Sequence, residues 1–366
     1  MSATFDFAAL RRRPDVEAPN LFAVDASDRL ILDEAAGALA AARDGEVVVI
    51  GDGYGALTLG SGATGVRVFQ DSIVGERALA ANAGSFDGFR NLQLGDELLL
   101  GAHVVLLQLP RSLDELEELA ANIAAYAADG VMVFAGGRIK HMTVGMNAVL
   151  SKHFARLDVS LARQKSRVLI ASGPVRGTVP RLRREFHDDL GLWLCASGSA
   201  FAGTRIDIGT RALLAALPQA APDASTAIDL GCGTGVVAAV LALARPGVAV
   251  LATDSSAGAV ASARATADAN GLTNVTVTRD DALSEQPDAS VDLVLLNPPF
   301  HLGGTVHTGA ASKLFAAAAR VLKPGGELWT VFNSHLGYRG ELARVVGPTR
   351  EVSRSPKFTV TVSEKN

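Results

Sequence analysis

The sequence is poor in cysteine, with two among 366 residues, Cys195 and Cys232. They lie in different contexts without metal-ligand spacing, which argues against a zinc site and suits a reducing compartment. Long hydrophobic runs are missing too. The longest, such as 236–244, fall short of a membrane span, and no arginine-led apolar signal opens the chain, so a soluble, cytoplasmic protein with no membrane partner is expected. Net charge of either sign is small: a formal −4 and a pI near 6.0 give no overall attraction to nucleic acid.

What is present is length, apolar content and an uneven charge distribution. With 366 residues, 48% of them hydrophobic, the chain can bury two cores rather than one. Residues 1–100 carry 15 acidic and 8 basic side chains, whereas 138–184 carry 11 basic residues and one acid, Asp158. The segment 301–366 is basic as well, with nine Lys or Arg against four Glu. A charge run by itself is usually a solvated face. The basic belt includes Arg163, Lys165, Arg167, Arg181, Arg183 and Arg184, which can track phosphates if nucleic acid is a partner.

The second half reads as a doubly wound α/β unit. Strands are predicted at 227–230, 248–252, 275–278, 291–296, 328–332 and 358–362, alternating first with helices at 236–244, 256–270 and 310–322. The first half repeats the pattern: Gly51, Gly53 and Gly55 match Gly231, Gly233 and Gly235, Asp71 matches Asp254, and 104–110 matches the run that ends in Asn297 and Pro298. Val49 stands where Asp229 does, and Gln108 and Leu109 replace Asn297 and Pro298, so the first copy is expected to have lost catalysis. The expected organisation is a degenerate unit at 1–175, a basic linker at 176–200 and a catalytic unit at 201–366. The fold class is α/β, with two tandem Rossmann-like domains built on mostly parallel sheets.

Asn297, Pro298, Pro299 and Phe300 follow a buried apolar strand, so a rigid polar turn capped by an aromatic sits at a strand's carboxyl end, where ligands bind in open α/β sheets. An amide oxygen, a proline carbonyl and a stacking ring make a receptor for a planar amine. Gly231, Gly233 and Gly235 allow a tight turn and a close backbone approach to a ligand. Asp229 can meet an ammonium, Asp254 with its neighbour Ser255 can accept from ribose hydroxyls, and Asp281, followed by Ala282, can accept from an adenine amine. Acids at three successive strand ends disfavour a phosphate-rich ligand and fit S-adenosylmethionine, which has a ribose, an adenine, an ammonium and a sulfonium. A methyltransferase follows from these residue types.

The stretches 229–235, 254–256, 281–284 and 297–301 resemble class I methyltransferases of the small methyltransferase domain group. Across nearly its whole length the chain is similar to the bacterial ribosomal RNA guanine-N2 methyltransferases, which carry a degenerate N-terminal copy of the catalytic fold. The segments 201–211 and 333–338 resemble their lead-in and C-terminal motifs, and His335-Leu336-Gly337-Tyr338 leans towards the large-subunit members. The resemblance implies that Asn297 Oδ1 and the Pro298 carbonyl accept the two hydrogens of a guanine amine while Phe300 stacks on the flipped base. It also implies a ribosomal RNA substrate. A monomer is expected. Two other readings stay open: a methyltransferase acting on another amide or amine, such as a protein glutamine, and a noncatalytic RNA-binding assembly factor.

Overall fold

Short apolar runs such as Val47–Ile50 and Val291–Leu296 are buried almost throughout, as strands inside a helix-covered parallel sheet must be. In the computed structural model of the chain, which describes residues 5–299 and 308–366, these runs lie in two separate seven-stranded sheets. The chain divides into two units between Arg181 and Leu182.

In space the first sheet runs Phe89–Asn91, Val66–Phe69, Val47–Ile50, Val104–Gln108, Met132–Arg138, Ser166–Pro174, Phe154–Val159. The second runs Val275–Arg279, Ala249–Asp254, Thr226–Leu230, Val291–Leu296, Leu322–Asn333, Phe358–Glu364, Thr349–Arg354. Both follow the same permutation. In each, the first five strands pair in parallel and the last two are added antiparallel. The repeat suggested by the glycine turns therefore extends over the whole sheet.

Alternation along the strands divides the second unit's core into two layers. Leu293 and Leu295 join Trp329, Val250 and the helix Val236–Ala244 on one face, while Val294 and Leu296 join Phe315, Leu328 and Phe332 on the other. The helix spans 236–244 as read from sequence, and the helix expected at 256–270 is Ala257–Ala269, capped by Ser256 and Asn270. The strand Thr349–Arg354 was not foreseen. It is a mostly exposed edge carrying Arg350, Glu351 and Arg354, so it lacks the apolar alternation that betrays a half-buried strand.

The stretch 176–200, expected as a linker, holds a hairpin of Arg183–His187 and Leu192–Ala196 that belongs to the second unit. Its inner strand buries Leu192 and Leu194. The other edge of that strand is satisfied by a polar ladder: the N–H groups of Trp193, Cys195 and Ser197 donate to Asn270 Oδ1 (2.9 Å), Thr266 Oγ1 (3.0 Å) and Ser262 Oγ (3.0 Å). Those acceptors are four residues apart, on one face of the helix Ala257–Ala269 and its cap. No described helix is long and apolar enough to cross a membrane.

Candidate active site

The glycine turn joins the strand Thr226–Leu230 to the helix Val236–Ala244. Gly231, Gly233 and Gly235 have φ of 72°, 54° and 75°, a region that side chains disfavour. Their surroundings differ. A Cβ on Gly235 would lie 2.9 Å from Ala263 Cβ, so this glycine lets two helices approach; nothing among the described residues lies within 4 Å of a Cβ on Gly231 or Gly233, so a ligand can approach there.

Two carboxylates hold the turn. Asp254 ends its strand and accepts from Gly233 N–H (3.0 Å) through Oδ2 and from Ser256 N–H (2.9 Å) through Oδ1, with half-buried Ser255 beside it. Asp229 is buried and accepts from Ala238 N–H at 2.9 Å. Burial pushes its carboxyl up to about 7, the Ala238 N–H partly offsets this, and the charge of Asp254 adds to the rise. A cationic ligand group beside Asp229 would reverse that shift. The residues present thus fit an ammonium at one end and a diol at the other.

At the third strand end, Asp281 is almost fully buried and pairs with Lys313 Nζ through both oxygens, at 2.7 and 2.6 Å. Ala282 and Leu283 follow with φ of 52° and 60°, an unusual left-handed pair held by Asp280, which accepts from Asp281 N–H (2.7 Å) and Glu285 N–H (3.0 Å). Lys313 was not anticipated from sequence; only the packing of its helix, Thr308–Val321, brings it to Asp281.

Asn297 follows the strand Val291–Leu296. Its Nδ2 donates to Thr210 Oγ1 at 2.9 Å and, more distantly, to Asp207 Oδ2 at 3.4 Å. Asp207 caps the helix Ile208–Ala216, accepting from the N–H groups of Gly209 (2.8 Å) and Thr210 (3.1 Å) and also from the Thr210 hydroxyl. With its proton given to Asp207, Thr210 Oγ1 can only accept from Asn297, so the amide orientation is determined by chemistry. The outcome is a buried Asn297 Oδ1 with no partner among the described residues. Leaving such an acceptor unpaired costs about 1–3 kcal/mol. Pro298 is buried and Pro299 exposed; Phe300 and His301 lie outside the described residues. Asp207 and Thr210 were missed as functional residues, although an Asp cap three residues before Thr is a readable helix start.

Residues 191–362 match the Methyltransferase small domain and residues 1–174 the RLMG N-terminal domain. A Streptomyces avermitilis protein named ribosomal RNA large subunit methyltransferase G is 35% identical over 98% of this chain and 97% of its own length. One of the same name from Ectopseudomonas mendocina is 35% identical over 99% of each. The chain belongs to the ribosomal RNA large subunit methyltransferase G family. Among solved structures, the Thermus thermophilus 16S rRNA N2 G1207 methyltransferase in complex with AdoMet and guanosine is similar in fold, with a TM-score of 0.77 at 22% identity over 93% of this chain and 92% of that one.

In this member of the methyltransferase G family the first unit keeps the scaffold of the site with different residues in it. Gln108, at the position of Asn297, donates through Nε2 to Asp28, and its Cβ and carbonyl oxygen lie 3.4 Å from where a Cβ on Gly51 would be. Val49 does replace the acid of the first strand. Asp52, inside the glycine turn, takes over its bond, accepting from Thr58 N–H (2.7 Å) at the helix position equivalent to Ala238 and from Gly55 N–H (3.0 Å). Asp52 is buried, and desolvation raises its carboxyl.

The basic belt of this methyltransferase G family member is divided between units. Arg163, Lys165, Arg167 and Arg181 belong to the first, where Arg163 pairs with Asp33 and the exposed Lys165 sits in a tight turn with φ of 60°. Arg167 is half-buried. Arg183 and Arg184 are exposed on the hairpin of the second unit.

Proposed function

We propose that the protein uses S-adenosylmethionine to methylate the exocyclic N2 of a guanine in large-subunit ribosomal RNA, acting as a cytoplasmic monomer. The observation that carries this reading is the buried Asn297 Oδ1, without a partner among the described residues and with its orientation imposed by Thr210 and Asp207. The names of its relatives supply the RNA class. The guanosine complexed with the 16S rRNA methyltransferase of similar fold agrees with the base.

Asp229, Asp254 and Asp281 would hold the ammonium, ribose and adenine of the cofactor, with Gly231 and Gly233 leaving room for it. When bound, the cofactor supplies an electrophilic methyl group on a sulfonium. A guanine amine is a poor nucleophile because its lone pair is delocalised into the ring. Asn297 Oδ1 and the Pro298 carbonyl accept its two hydrogens, draw the lone pair out of conjugation and aim it at the methyl carbon. Transfer of that methyl group would leave a surplus proton on nitrogen, which would pass to solvent. The same two acceptors stabilise the positive charge that develops on nitrogen, so positioning and electrostatics provide the acceleration. A base inside a helix must first leave its stack.

The test is to map N2-methylguanosine in ribosomal RNA from cells with and without this gene, and to restore the mark with purified protein and labelled cofactor. One large-subunit guanine should lose and regain its mark. An unchanged methylation map would overturn the reading.

A further inference from the structure

The hairpin that opens the second unit has a face the catalytic reading does not use. Arg184 lies over the Trp193 ring, 4.0 Å from its centroid, and the Phe186 ring packs against the same indole at 5.2 Å. Phe186 is nonetheless 44% exposed, and Arg184, on the same side of the strand, is exposed beside it. The strand Arg183–His187 pairs on one side with Leu192–Ala196, which the Ser262, Thr266 and Asn270 ladder fastens to the helix Ala257–Ala269. A cationic and aromatic surface is thus mounted on a base held by hydrogen bonds.

Nearby acids are turned to other work. Glu185 alternates to the opposite side of the strand and accepts from Thr204 Oγ1 at 2.6 Å, and Asp189 pairs with Arg211 at 2.5 Å; Asp188 remains in the turn. Those bonds, with that between His187 Nε2 and the Thr204 carbonyl oxygen (2.9 Å), tie the hairpin to the segment that leads into Asp207 and Thr210. The ridge is therefore anchored to the elements that orient Asn297.

We infer that this hairpin face, Arg184 with Phe186 and Trp193, is a docking ridge for a single-stranded stretch of the substrate RNA next to the target guanine. The inference rests on the ribosomal RNA methyltransferase reading. Guanidinium planes and aromatic rings are stacking platforms for unpaired bases, and the charge of Arg184 also suits a phosphate. An A-form duplex keeps its bases stacked inside and presents no face to Phe186.

The experiment uses the full chain with unmethylated large-subunit ribosomal RNA transcribed in vitro. Phe186→Leu should raise the KM for RNA by about ten-fold with kcat retained, and Arg184→Met should lower the salt slope of binding by roughly one. Cofactor affinity of each variant, measured separately, verifies folding. A second measurement does not depend on turnover: Trp329 is fully buried, so quenching of tryptophan fluorescence by RNA reports Trp193, and Trp193→Phe should abolish it. If the wild type methylates RNA but the variants keep its KM, salt slope and quenching, the ridge is wrong and the function stands. If the wild type transfers no methyl group to RNA, the function reading fails, and absent quenching would then sink the ridge as well.

Discussion

Asn297 donates its amide N–H to Thr210 Oγ1 at 2.9 Å, and Thr210 in turn donates to Asp207. These two bonds dictate which atom of Asn297 is left to accept. The first unit repeats the arrangement with other residues, since Gln108 donates to Asp28 at the same place in its sheet and helix. There the Cβ and carbonyl oxygen of Gln108 lie beside Gly51, whereas in the second unit the Asn297 oxygen has no partner among the described residues.

Thr210→Val removes the acceptor while keeping the shape of the side chain. The turnover number should fall roughly ten-fold, the worth of about one hydrogen bond, with cofactor affinity unchanged. Thr210→Ser should restore it. Asn297→Ala should cost about 100-fold or more in kcat, and adding Thr210→Val to it should cost nothing further. Additive losses in that double-mutant cycle would show that Thr210 acts independently of Asn297 and overturn its orienting role.

Asp229 sets a pH dependence. Its carboxyl titrates at about 7 in the folded chain against an ordinary 3.8, so the native state holds a proton that the unfolded chain has lost between those values. The contribution of this group to stability therefore falls as pH rises from 3.8 to about 7 and is level above. Affinity for a cofactor ammonium should run the other way, increasing as pH rises through 7. Calorimetric titrations between pH 5.5 and 8 check this, and Asp229→Asn should flatten the profile as well as weaken binding.

Gly231 and Gly235 share a left-handed φ but should respond differently to alanine. Gly235→Ala drives a Cβ to within 2.9 Å of Ala263 and should destabilise the protein by about 2–4 kcal/mol, read as a lowered Tm. Gly231→Ala meets open space, so it should cost about 1 kcal/mol of stability while reducing cofactor affinity. Equal losses of stability in the two variants would contradict the assignment of open space to the ligand.

The first unit should bind no cofactor. Gln108 beside Gly51 and Asp52 buried in the turn take the place of a ligand, so calorimetry should give one equivalent per chain. Two equivalents would show that the first site is intact.

Much of this was legible because it is local. The strand 291–296, apolar except for Asp292, and the helix 236–244, apolar throughout, have ends set by polar or glycine residues, so both appear in the fold at the bounds read from sequence. The hairpin inside the expected linker was hidden because its outer strand carries Arg183, Arg184 and Glu185 and makes little apolar burial; its stability comes from side chains some 70 residues further on. Asp52 was hidden for a different reason. Comparing aligned positions records the lost acid at Val49 but not that another carboxylate, three residues later, can reach the same helix N–H groups.

By itself the sequence determined the duplication, the glycine turns, the three acids at strand ends and the polar turn at Asn297, because each depends on backbone periodicity or on residue type at a strand terminus. Only the tertiary structure decided what those groups face. That Lys313 neutralises Asp281, that Thr210 and Asp207 orient Asn297 and that Gln108 occupies the space beside Gly51 are relations between residues 32, 87, 90 and 57 positions apart in the chain. Hydrogen-bond direction and desolvation depend on such neighbours, and only the packed sheet and its helices bring them together.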